Sequence, residues 1–254
     1  MSSDVLTRLV AMSNDLGDPA LDYAILGEGN TSARVDADTF WVKASGVELR
    51  TAAAGDFVRV RFDRVLDVLQ EGDLSDTEIA AGLEAAKVDA ASAARPSVET
   101  VLHAIALQLE GVNFVGHTHP TAVNVVLCSQ RVEEAISGRL FPDEIAYCGL
   151  SPVYIPYTDP GLPLARKFRD LVGRYVDEVH EVPKVILMQN HGFIALGCTA
   201  RQVRDVTAMY VKAARVLLGT YALGGPHFLS PAAAARIHTR PDELYRREER
   251  GHRS

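Results

Sequence analysis

Cysteine is scarce in this chain, with three among 254 residues. Cys128, Cys148 and Cys198 are odd in number, far apart and in no CxxC spacing. That excludes a disulfide framework and reads as small buried hydrophobes in a reducing compartment. Basic charge is also short, since 26 Lys plus Arg stand against 33 Asp plus Glu for a formal net charge of −7. Without a basic stripe to meet a phosphate backbone, nucleic acid is not an expected partner. Long apolar runs are missing too. The stretch Gly111 to Gln130 is free of Asp, Glu, Lys and Arg, yet it holds His117, His119, Pro120 and two asparagines, groups too costly to place in lipid. No membrane span is expected. The opening MSSDVLTRLV has neither the basic nor the apolar region of a signal peptide, so a cytoplasmic location is expected. No repeat, low-complexity block or linker divides the chain. One domain over 1–254, with a charged tail that frays from about 241, is the economical reading.

What is present is an ordinary globular composition, 47% hydrophobic and 23% charged. A chain of this length buries roughly 70 to 75% of the surface its unfolded form exposes, so its core needs no metal staple and any metal would be functional. Val5, Leu9, Met12 and Leu16 recur at near-helical spacing and give a first helix that stops near Gly17 to Pro19. A Gly-rich turn, Leu26 to Ser32, leads into strand-like Ser32 to Val35, followed by strands over Thr39 to Lys43 and the alternating Phe57 to Phe62. Hairpins and an antiparallel sheet are implied. Ser75-Asp76-Thr77-Glu78 is a capping box ahead of a helix over Ile79 to Val88, and Pro96-Ser97 opens another over Val98 to Leu109. Val112 to His119 reads as a strand, and Lys184 to Gln189 and Phe193 to Leu196 as two strands joined by Asn190-His191-Gly192. Phe141 to Pro163, with five prolines, reads as loop-rich; Leu164 to Val179 and Ala200 to Leu223 read as helices. The fold class is α/β, with helices covering a sheet in an α/β/α arrangement.

Chemistry concentrates in three places. His117-Thr118-His119 puts two imidazoles on one face of a strand, where they can share an ion. His191, in a tight turn after the apolar run VILM, offers a third; three nitrogens with an open fourth position is the pattern of catalytic zinc. Glu99 lies in the first turn of an apolar helix with His103 four residues on, on the same face. A carboxylate near such an ion can be a resting ligand and a proton-transfer base, whereas His103 reads as a satisfied core histidine. Gly29-Asn30-Thr31-Ser32, Ser45-Gly46 and Ser97 form a small polar set suited to an anion.

The order GEGNTSAR (27–34), WVKASG (41–46), RPSVE (95–99), HTHP (117–120) and QNHGFIALG (189–197) resembles the class II aldolase/adducin family, typified by the metal-dependent fuculose-phosphate and rhamnulose-phosphate aldolases and ribulose-phosphate 4-epimerase. The resemblance spans roughly residues 5 to 223. It implies one α/β/α domain around a mostly antiparallel sheet, usually a homotetramer with sites at subunit interfaces. It implies that His117, His119 and His191 hold a divalent metal, usually Zn2+ and otherwise Mn2+ or Co2+, beside Glu99 as acid/base. It implies that Gly29, Asn30, Ser45, Gly46 and Ser97 cradle a substrate phosphate. Two departures bear on that cradle. Sugar-phosphate aldolases tend to carry a hydroxyl or small residue where Gly27-Glu28 stands, and two serines where this chain has Ser97-Val98.

The expected activity is a lyase cleaving a ketose or ketose phosphate through a metal-stabilised enediolate, with Tyr147 or Tyr245 as the acid serving the aldehyde oxygen. A 4-epimerase or decarboxylase would use the same scaffold. A non-catalytic, adducin-like interaction module is disfavoured by the intact three-histidine and glutamate set, and a structural zinc domain by the lack of a fourth, closing ligand.

Overall fold

A computed structural model describes residues 2–70, 72 and 74–241. In chain order it contains α1 (Ser2–Leu16), β1 (Asn30–Arg34), β2 (Thr39–Lys43), β3 (Phe57–Arg61), α2 (Phe62–Gln70), α3 (Asp76–Ala85), α4 (Thr100–Leu107), β4 (Phe114–Thr118), α5 (Thr121–Leu127), α6 (Val132–Ile136), α7 (Pro142–Cys148), β5 (Val153–Ile155), α8 (Leu162–Val179), β6 (Val185–Met188), β7 (Gly192–Gly197), α9 (Ala200–Tyr221) and α10 (Pro231–His238). The strands form one sheet in the order β3-β2-β1-β4-β7-β6-β5. Every pairing is antiparallel except β5 with β6.

Period-2 alternation sorts side chains into two cores. Val115, Ile186, Met188, Ile194 and Leu196 face one layer with residues of α2, α4 and α8. Phe114, Val185, Leu187, Phe193 and Ala195 face the other, against α1, α5 and α9. Strand residues buried on both faces read as near-continuous apolar runs, which is why VILM and GFIALG lack polar alternation. Local signals set the ends of elements. Asp36 Oδ1 accepts from the Asp38 and Thr39 amides at 3.0 and 2.8 Å and closes the β1–β2 turn. Ser75 and Glu78 complete the expected capping box at α3.

Four expectations need correction. Phe141 to Pro163 is not mainly loop: Pro142 sits in the first turn of α7, and Val153–Ile155 joins the sheet edge. The helix expected from Val98 starts at Thr100, so Glu99 stands at the cap position with the Thr100 amide bonded back to the Ser97 carbonyl at 3.0 Å. The strand ending at Phe62 yields to α2, whose buried Val65, Val68 and Leu69 follow helical spacing. Of the cysteines, Cys148 is buried but Cys128, just after α5, is exposed. Among the described residues, no helix is long and apolar enough to cross a membrane.

Candidate active site

The antiparallel pairing of β4 with β7 builds the histidine cluster. Thr118 pairs with Phe193, so the end of β4 lies beside the start of β7 and the turn before it. Asn190 takes a left-handed φ of 54° there, and the His191 amide donates to the Met188 carbonyl at 3.1 Å. From the opposite direction come His117, near the end of β4, and His119, just beyond it, two residues apart. One ligand nitrogen from each imidazole lies within 4.8 Å of the others. The rings meet edge-on, with centroids 4.7, 5.1 and 5.3 Å apart. Nε2 of His117 and Nε2 of His119 are 3.0 Å apart. His117 Nδ1 donates to the Phe193 carbonyl at 3.0 Å, which fixes the tautomer and turns its other nitrogen toward the cluster.

Two glycines make this convergence possible. A Cβ on Gly192 would stand 2.5 Å from His119 Cδ2 and 3.0 Å from His117 Cε1. Gly29, at φ 69°, lets the loop pass so close to β4 that a Cβ would fall 2.5 Å from the His117 carbonyl oxygen.

Glu99 completes the cluster. Its Oε1 lies 3.0 Å from His191 Nε2 and 3.6 Å from His117 Nε2. Burial pushes the Glu99 carboxyl up, but attraction to His117 and hydrogen bonds from His117 and His191 outweigh it and hold the group well below the usual carboxylate range. Burial, with repulsion from His117 and His191, depresses His119 to about 3. One ionised carboxylate beside a neutral imidazole and two further ring nitrogens is a donor set that attracts a divalent cation.

The polar set expected around an anion gathers in one cavity of about 230 Å³, lined by Gly29, Asn30, Ser45, Gly46 and Ser97 together with Glu99 and His119. Ser97 Oγ is buried there without a hydrogen-bond partner. Lys43 lines the same cavity although only 2% exposed; burial lowers its pKa against the attraction of Glu99 and Asp56. Glu28 lines this cavity as well, with its Oε2 accepting from the Ile25 amide at 3.1 Å and its Oε1 3.8 Å from His119 Nδ1. Beyond Glu28 and His119 opens a second cavity of about 350 Å³, with Asp22, Thr121, Asn124 and Cys128 in its wall.

A family profile described as Class II Aldolase and Adducin N-terminal domain matches residues 7–218. The chain belongs to this family. It is 25% identical to the N-terminal class II aldolase domain of a conserved protein from Thermoplasma acidophilum, with a TM-score of 0.66 over 86% of this chain and 95% of that one. It shares the fold of L-fuculose-1-phosphate aldolase from Thermus thermophilus at 17% identity and a TM-score of 0.60, covering 88% and 98% of the two chains. It is also 27% identical over 199 residues to the uncharacterized oxidoreductase YuxG of Bacillus subtilis (strain 168), which it matches over 74% of its own length. The chain spans about a quarter of that relative, 26%.

Not every expected residue joins the cluster. Tyr147, on α7, lines a separate cavity of about 160 Å³ with Tyr175, Glu181 and His238. Tyr245 lies outside the described residues. Lys43 and Gly192 were not singled out from sequence: a lysine ending a strand resembles a solvated charge, and Gly192 resembles any turn glycine. His103, expected to be a satisfied core histidine, is buried and hydrogen-bonded on both ring nitrogens.

Proposed function

We propose that this chain is a divalent-metal-dependent carbon–carbon lyase that cleaves a ketose, specifically a ketose phosphate, working as a homotetramer. The observation that carries the reading is the convergence of three imidazoles with the Glu99 carboxylate, where Glu99 and His119 line a cavity that Ser97 and Lys43 also line. His117, His119 and His191 would hold the cation, Zn2+ or alternatively Mn2+ or Co2+. When bound, it supplies Lewis-acid polarisation of the substrate's carbonyl and neighbouring hydroxyl. Gly29, Asn30, Ser45, Gly46 and Ser97 offer amides and donors to the phosphate, and Lys43 adds a buried cation that offsets the nearby carboxylates.

As the carbon–carbon bond breaks, its electron pair moves toward the ketose carbonyl oxygen and the far hydroxyl gives up its proton as the aldehyde forms. Glu99 delivers a proton to the carbon left behind; in condensation it removes that proton. The acid that serves the aldehyde oxygen is proposed to be Tyr245 of a neighbouring subunit, since Tyr147 of the same chain lines another cavity.

Metal analysis of the purified protein followed by a screen of ketose phosphates for aldehyde release tests the reading. About one divalent ion per chain, lost in His117→Ala with the fold retained, is the expected result. Epimerised sugar or carbon dioxide in place of aldehyde would move the assignment to the epimerase or decarboxylase reading. No metal in the wild type would overturn it.

A further inference from the structure

Glu99 meets the histidines through Oε1; its other oxygen leads away from them into the protein. Oε2 accepts a hydrogen bond from Asn30 Nδ2 at 2.5 Å. The same amide presents its Oδ1 to His103 Nε2, and Ser32 Oγ lies 2.7 Å from His103 Nδ1. Elementary donor rules give this chain one direction. A carboxylate only accepts, so Asn30 must turn its NH2 to Glu99 and its carbonyl to His103. A carbonyl only accepts, so Nε2 of His103 must carry the proton. His103 is neutral, with burial and repulsion from His117 depressing it to about 3; Nδ1 is therefore bare and must accept from the Ser32 hydroxyl. Each donor choice follows from the one before it.

The fold supplies the alignment. Asn30 and Ser32 are alternate residues of β1 and share one face of the sheet. His103, on α4, lies four residues beyond Glu99, one helical turn on the same side. Strand and helix thus bracket a single ring, and Asn30 is paired with His117 across β1 and β4. His103 is 1% exposed and Ser32 is fully buried, so water does not compete for these bonds.

We propose that His103 is a positioning residue which, held in its Nε2–H tautomer by the Asn30 carbonyl and oriented by Ser32, fixes the Asn30 amide and thereby aims the Glu99 carboxylate. It touches neither the histidine cluster nor the cavity lined by Ser97. Asn30 consequently serves twice: one amide hydrogen is committed to Glu99, and only the other is left for a substrate anion. The inference rests on the role proposed for Glu99, but its structural half stands apart from any activity.

The test compares wild type with His103→Gln, which keeps a donor close to the Nε2 position, His103→Leu, which removes it, and Ser32→Ala, which frees Nδ1 without emptying the site. Three readouts are taken on cobalt-loaded and zinc-loaded protein of equal metal content. [15N]Histidine NMR of the wild type is expected to show one imidazole held as the Nε2–H tautomer, and Ser32→Ala to keep that tautomer while shifting the Nδ1 resonance that has lost its donor. The visible Co2+ spectrum is expected to change in His103→Leu, as Glu99 relaxes, and to return toward wild type in His103→Gln. Solvent-deuterium exchange into a turned-over ketose phosphate should fall about 10- to 100-fold in kcat for His103→Leu with KM little changed, and recover in His103→Gln. A His103 carrying its proton on Nδ1, or identical cobalt spectra across all variants, would overturn the proposal. If the wild type exchanges no substrate proton, the reading of Glu99 as base fails, while the NMR and cobalt spectra still decide the positioning role. Should His103→Leu fail to fold, Ser32→Ala and His103→Gln carry the comparison.

Discussion

Two buried polar networks lie on opposite faces of the sheet, and they are built to different ends. On the α7 side, Arg139 and Glu144 form an ion pair at 3.4 Å with both residues under 5% exposed. Glu144 also accepts from the Leu140 amide at 2.7 Å, and Arg139 donates to the Gly149 carbonyl at 2.9 Å. Every one of these partners belongs to the segment 139–149, so the pair ties a chain turn to itself. Burial pushes the Glu144 carboxyl up, and the Arg139 charge offsets only part of that. On the α4 side, Ser32, His103 and Asn30 come from two distant elements and end on a carboxylate that opens toward a cavity. A closed network spends its polarity on structure, whereas an open one leaves a charged group facing space that a ligand can enter.

Separating the two experimentally starts with the largest effect. Glu99→Gln keeps the size of the side chain and removes its base, so exchange of the substrate α-proton with solvent should fall by about 10² to 10⁴-fold while the metal stays bound and the melting temperature hardly moves. Undiminished exchange would place the base elsewhere.

Arg139→Met should do the reverse. It leaves Glu144 buried without its counter-ion, a loss of about 3 to 5 kcal/mol, which denaturant titration would measure, with metal content of the folded protein unchanged. A variant that unfolds normally but loses its metal would mean that the two networks are coupled.

Gly192→Ala sharpens the contrast from the metal side. Its Cβ must displace the His119 ring, so about 1 to 3 kcal/mol of overpacking strain is expected, together with weaker metal retention against a chelator. Normal retention would show that the ring can swing aside.

The smallest effect is a pH slope. His103 protonates only near 3 in the folded protein but near 6.5 when unfolded. The unfolded chain therefore binds the extra proton first, and stability falls as pH drops from about 6.5 toward 3, by about 1 kcal/mol at pH 5.5. Melts of His103→Gln should lack this share of the slope, and equal slopes in both proteins would contradict it.

The sequence makes the histidine and glutamate cluster far more legible than either network. His117, His119, His191 and Glu99 are chemically conspicuous residues in recognisable order, and the i, i+2 spacing at the end of β4 brings two of them together without further information. The positions of the strands are also readable, because period 2 survives in FVRVR and TFWVK. The short helices between β4 and α8 are not. Five to seven residues span barely two turns, too few to display a period, and they hold their shape by packing on α9 and the sheet. The Asn30–His103 link escaped for a different reason: it joins residues 73 apart, and nothing in either local sequence announces the other. Lys43 is similar, since its burial depends on how the loop after β2 folds back over it.

β1 has a consequence for how this protein can change. Its odd and even residues address different layers: Asn30 and Ser32 meet His103, whereas Thr31 Oγ1 bonds Ser13 of α1 at 2.6 Å. Adding or deleting one residue within the strand would swap the two sets, turning Thr31 toward the imidazole and Asn30 toward the first helix. Length variation is therefore confined to the stretch before Gly29 and the turn after Arg34. Substrate preference can drift through the loop that carries Glu28, one residue at a time, while the strand beside it admits substitution but not insertion.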